Sequence, residues 1–233
     1  MNAPSTTTAA SGTACWSCGK AAGGAHFCSA CGKILPLPAG ADYFAFFGMP
    51  RKLQLDSEAL ERRFHQLSWK LHPDNFVRAV EFERNLSLER SSELNDAYRT
   101  LREPVARVEY LLGLAGLRKE GAAKQQAPPE LLEEVFELNE SLDELRQASA
   151  AGAGADLASL RDRLAAAQKN FQQKLDEVDA ELAVVFGAWD AALDAGAPEA
   201  ARRELLARMN EILNRRSYIR NLVATVQSEL AEA

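Results

Sequence analysis

QLSWKLHPDNF, residues 66–76, carries an apolar helical pattern that stops at His72-Pro73-Asp74. Pro73 has no amide proton and a locked φ, so a helix cannot run through it, and it drives His72 out of the α region. A helix terminator followed by a polar loop would account for the tripeptide by itself. The flanks decide whether it does more. Upstream, LDSEALERRFHQLSWKL (55–71) offers Asp56 as an N-cap, Leu55 and Leu60 as a hydrophobic staple, and Leu60, Phe64, Leu67 and Leu71 at helical spacing. The opposite face carries Arg62, Arg63, Gln66 and Lys70. Downstream, a second long helix is expected from about Val77 to Arg102, with Leu94, Ala97, Tyr98 and Leu101 on one stripe and Pro104 at its end. VARVEYLLGL (105–114) reads as a short further helix, and DYFAFFGM (42–49) as a short apolar one capped by Asp42.

With 233 residues the chain can bury a sizeable core in one to three domains. A hydrophobic content of 47%, a charged content of 26% and a net charge of −6 are ordinary for a soluble protein and weigh against non-specific nucleic-acid binding. No apolar run approaches the roughly 20 residues that cross a bilayer, so no membrane partner is expected. Residues 1–14 contain neither Lys nor Arg and no apolar stretch, which argues for a disordered tail on a cytoplasmic chain rather than a targeting peptide.

The four cysteines form two pairs, CWSC (Cys15, Cys18) and CSAC (Cys28, Cys31), each followed by glycine, Gly19 and Gly32. Such tight loops aim two thiolates at one centre, and two loops complete a tetrahedral set of soft ligands that suits structural Zn²⁺. Two disulfides or a redox pair are the competing readings. The first conflicts with a chain lacking an export signal, and the second lacks a strand–helix setting. His26 is expected outside the ligand set, at the surface or behind the cysteines. The knuckle, residues 15–35, is followed by ILPLPAG (34–40), which reads as a boundary with few contacts across it.

Beyond the linker LRKEGAAKQQAPPE (117–130), three helical segments are expected. The first starts at Pro128-Pro129 with the stripe Leu131, Val135, Leu138, Leu142 and Leu145. After the flexible connection QASAAGAGA (147–155), the second spans about Asp156 to Asp190, and the third begins near Pro198. Long amphipathic helices with short connections argue for an antiparallel three-helix bundle in an all-α chain. Leu132 and Phe136 fall about 100° around from the core stripe, one residue's rotation, and Glu133, Glu137 and Glu140 lie further out. A wide core face with a solvated acidic flank is one reading; a partner-binding face is the other.

Two antiparallel helices joined by HPD, a small helix before them and LNDAYRTLREP (94–104) after resemble a J-domain over about residues 42–118. That resemblance implies a loop and basic helix that dock on the ATPase domain of a DnaK-type chaperone and stimulate it. His72, Pro73, Asp74, Arg62, Arg63 and Lys70 are then the docking residues. With DYFAFFGMP, REPVARVEYLLGL, LLEEVFELNESLDEL and YIRNL, the chain from residue 42 to 233 is similar to the HscB family, co-chaperones of iron–sulfur cluster assembly. The resemblance implies that the bundle, residues 128–233, binds the scaffold IscU and delivers it to an HscA-type chaperone. The family's scaffold-binding positions fall on Leu132, Glu133, Phe136, Glu137, Glu140 and Tyr218. Glu133 departs from the family's usual methionine and Ser217 from an arginine, beside which Arg216 stands. The knuckle is not part of the usual bacterial pattern and looks like that of eukaryotic relatives. A general protein-folding J-protein and a zinc-ribbon nucleic-acid-binding protein remain as alternatives. No paired carboxylates, nucleophile–base pattern or phosphate-binding loop argues for an enzyme.

Overall fold

The computed structural model describes residues 14–22, 26–118, 128–151 and 154–232; the expected tail, apart from Ala14, and the centres of both expected linkers lie outside them. The chain divides after Arg107 into two compact units. Among the described residues it is all-α, with two isolated β-bridges in the cysteine segment and no strand.

In the first unit, α1 (Tyr43–Phe46) starts at Asp42, whose carboxylate accepts from the Ala45 amide at 2.7 Å and from Arg51 Nε at 2.6 Å. α2 (Ser57–Leu71) starts at Asp56, whose side chain accepts from the Ala59 amide, as the sequence predicts. α3 (Glu81–Arg102) pairs with α2 to form the helical hairpin. It begins later than the sequence suggests. Pro73–Phe76 forms a 3-10 turn, the Ala79 amide bonds back to Phe76 carbonyl at 2.8 Å, and only the extended Val80 leads into the helix. Leu60, Leu71, Leu94, Ala97 and Leu101 are buried between the helices with Phe44 and Phe46. Phe64 stacks on Tyr98 with ring centroids 4.1 Å apart. Arg107, an unexpected buried cation, donates to the carbonyls of Leu53 and Leu101 from the start of α4 (Pro104–Leu114).

In the second unit, α5 (Leu132–Ala151), α6 (Gly154–Asp194) and α7 (Glu199–Glu232) form an antiparallel three-helix bundle. Ion pairs fix the directions. Glu144 meets Arg163 and Glu134 meets Lys174, each at 3.0 Å, so α5 and α6 run oppositely. Asp179 meets Arg216 at 2.5 Å and Glu181 meets Arg208 at 3.4 Å, so α7 returns along α6. Glu130 pairs with Arg215 and Arg146 with Glu229, in the same order along both segments, so α7 lies parallel to α5. Leu131, Leu138, Leu142 and Leu145 of the predicted stripe are buried against Leu164, Phe171, Leu175, Met209, Ile212 and Val226; Val135 is only half-buried.

Candidate functional site

The cysteine segment is built twice over. In each copy the first cysteine's amide donates to a lysine carbonyl five residues on, Cys15 to Lys20 and Cys28 to Lys33, at 2.8 Å. The glycine amide returns to that cysteine's carbonyl, and Gly19 and Gly32 adopt φ of +69° and +71°, which a side chain would strain. The loops face each other so that all four sulfurs lie within 4.8 Å of one another. Cys15 and Cys31 sulfurs are 3.7 Å apart, and those of Cys18 and Cys28 are 3.8 Å apart. A disulfide needs about 2.05 Å. Four ligands at about 2.3 Å around a tetrahedral zinc stand about 3.8 Å apart, so the spacing is that of a metal site.

The electrostatics agree. The Ala30 and Cys31 amides hold the Cys28 thiol down at about 7. The Lys33 amide draws Cys31 the same way, but burial and the three neighbouring sulfurs prevail and push it up to about 12. A cluster that resists its last negative charge is one that a divalent cation completes. The four cysteines fit a metal ion.

His26 is not at the surface. Its ring packs on Phe46 with centroids 4.7 Å apart, and its Nε2–H donates to Phe46 carbonyl at 2.8 Å. Burial holds the imidazole below its ordinary pKa despite that bond, and Arg90 lowers it further, so the ring is neutral at neutral pH. The knuckle is therefore seated on the hairpin rather than separated by the proline spacer. Trp16 donates to Ile34 carbonyl and meets Phe82 edge-on at 4.9 Å. Lys33 reaches the Glu83 carboxylate at 2.5 Å, where the Glu83 side chain is 3% exposed.

At the far end of α2 the HPD loop stands out into solvent but is fastened from beneath. His72 Nδ1 accepts from the Asp74 amide at 3.3 Å, and the two side chains lie 3.6 Å apart. Asn75 donates to Trp69 carbonyl at 2.6 Å, while Ser87 and Ser91 both donate to Leu71 carbonyl. These bonds satisfy carbonyls that the end of a helix leaves bare. Ser87, Ser91 and Asn75 were missed in the sequence; two hydroxyls four apart on a buried helix face were the available signal. Arg62 pairs with Glu58, and Lys70 is exposed. Arg63 is committed elsewhere: its guanidinium donates to Phe47 carbonyl at 2.5 Å and to Gly48 carbonyl at 3.2 Å, tying α1 to α2. Trp69, with 81% of its surface exposed beside the loop, was also missed.

On α5, Leu132, Glu133, Phe136, Glu137 and Glu140 are all exposed, Phe136 at 71%. Phe136 and Glu140 line a shallow groove with Asn139, Asp143 and Glu144. Tyr218 is half-buried on another helix, α7. Arg216 is not a free cation, because Asp179 holds its guanidinium at 2.5 and 3.1 Å.

A family model described as the HSCB C-terminal oligomerisation domain matches residues 127–227. The co-chaperone protein HscB homolog of Vibrio vulnificus strain YJ016 is 36% identical over 141 residues, covering 60% of this chain and 80% of that protein. The chain belongs to the HscB family of co-chaperones. The HscB homolog of Azoarcus sp. strain BH72 is 37% identical over 166 residues, 70% of this chain and 85% of its own. The crystal structure of human co-chaperone protein HscB matches 93% of this chain and 98% of that one, with a TM-score of 0.60 and 25% identity. Among the described residues, no helix is long and apolar enough to cross a membrane.

Proposed function

We propose that this HscB-family chain serves iron–sulfur cluster assembly, holding an IscU-type scaffold on α5 and presenting it to a DnaK/HscA-type chaperone whose ATPase it stimulates through the HPD loop. One observation carries the reading: Phe136 is 71% exposed on a helix whose core face is already complete. A large apolar ring without a core function, bordered by Glu133, Glu137 and Glu140, suits a partner with an apolar pocket inside a basic rim. Calorimetric titration with IscU, and ATP turnover of the chaperone with and without the chain, test the two halves. Binding of unfolded clients in place of the folded scaffold would favour a general folding role.

The docking face extends to Trp69. An indole 81% exposed next to Lys70 and His72 has an anchor's size and place. Trp69→Ala is expected to raise the chain concentration for half-maximal ATPase stimulation about 5- to 30-fold, a loss of about 1–2 kcal/mol. The melting temperature should not move, because little of the ring is buried. A normal titration curve would remove Trp69 from the face.

The knuckle's ion is Zn²⁺ in this reading, one per chain. Metal analysis of purified protein is expected to find it, and Cys31→Ser to lose it. Absence of metal with quantitative disulfides would overturn the assignment.

A further inference from the structure

The knuckle's position relative to the docking loop assigns it a second task. Lys33 lies two residues beyond Cys31, and its carbonyl accepts from the Cys28 amide at 2.8 Å, so the second cysteine loop holds this residue in place. Its ammonium then holds Glu83 in the first turn of α3. One helical turn further on the same face is Ser87, fully buried, whose hydroxyl holds Leu71 carbonyl at 2.7 Å. Leu71 is the residue before His72. Trp16, next to Cys15, covers Phe82 in the same turn.

We propose that the metal-loaded knuckle is a clamp on the first turns of α3 and, through Glu83 and Ser87, a positioning element for the His72-Pro73-Asp74 loop. The interface has the character of a clamp rather than a core. Alongside Phe46 and Phe82 it includes Lys33, Glu83, the indole edge of Trp16 and the His26 imidazole, polar groups that water can solvate once the knuckle lifts. Among the described residues, the knuckle's apolar content is small: Cys15, Cys28 and Leu35 with Ala22 packed against them, and the buried Ile34, so a bound metal would supply much of what holds its two loops in shape. Metal loading therefore sets the order of the loop without touching it.

This inference rests on the metal reading of the knuckle, and its test needs no chaperone. Amide hydrogen exchange on the full chain is compared in the zinc-loaded protein, after chelation, and after Zn²⁺ is restored. Chelation is expected to speed exchange at Asn75 and across Arg84–Arg90 about tenfold, reversibly, while the bundle amides stay protected. Glu83→Gln, which keeps all four cysteines, is expected to retain its zinc yet show the faster exchange, and Lys33→Arg to preserve the slow rate. Zinc content is read first. Its absence refutes the metal reading and takes the clamp with it. Zinc present, with exchange unchanged on chelation and in Glu83→Gln, overturns the clamp alone. Global unfolding of α2 and α3 on chelation also overturns it, since the knuckle would then be a requirement of the fold.

Discussion

Asp74→Asn is expected to reduce the chain's stimulation of a DnaK/HscA-type ATPase to the basal rate, with scaffold binding and melting temperature unchanged. The Asp74 side chain is 85% exposed and, among the described residues, lies close to His72. Losing its charge therefore costs the fold little. At a docked interface the same carboxylate is desolvated, and removing its charge from an arginine partner costs about 2–5 kcal/mol. That is enough to empty the complex at ordinary concentrations. Steady-state ATP turnover across a titration of the variant reads the result. Stimulation at the wild-type level would exclude the loop from docking.

Phe136→Ala should weaken IscU binding by about 1–3 kcal/mol, or about 5- to 150-fold, with stability changed by less than about 0.5 kcal/mol. Truncating an exposed ring leaves no cavity. Leu138→Ala, two residues along α5, supplies the contrast. Leu138 is buried, and its loss should cost about 2–5 kcal/mol of stability. Thermal melts beside calorimetric titrations separate the two. A well-folded Phe136→Ala variant with unaltered affinity would remove the ring from the scaffold site.

What the sequence discloses depends on the kind of interaction. Apolar residues announce their face by spacing, so the α5 stripe of Leu131, Leu138, Leu142 and Leu145 was readable, while the exposure of Phe136 was settled only by the packing. Paired cysteines are readable for a similar reason: few other uses put two CxxC-Gly loops so close. Polar contacts carry no such period. Arg63 looks like any surface cation, yet its acceptors are backbone carbonyls of Phe47 and Gly48, which no residue type advertises. Arg216, beside Ser217, is held by Asp179, which lies 37 positions away and which its neighbours in the sequence do not announce. His26, Lys33 and Glu83 each resemble solvated surface until α3 meets the knuckle. The proline spacer misled for that reason: ILPLPAG ends regular structure but says nothing about what packs across it.

The bond between Lys33 and Glu83 joins residues 50 positions apart. At about 5–20 residues per second, a ribosome completes the knuckle several seconds before it makes the helix turn that receives it. During that interval the paired cysteines have no α3 to pack against. On the metal reading of the knuckle, ion capture precedes the hairpin, which then closes onto a part already shaped.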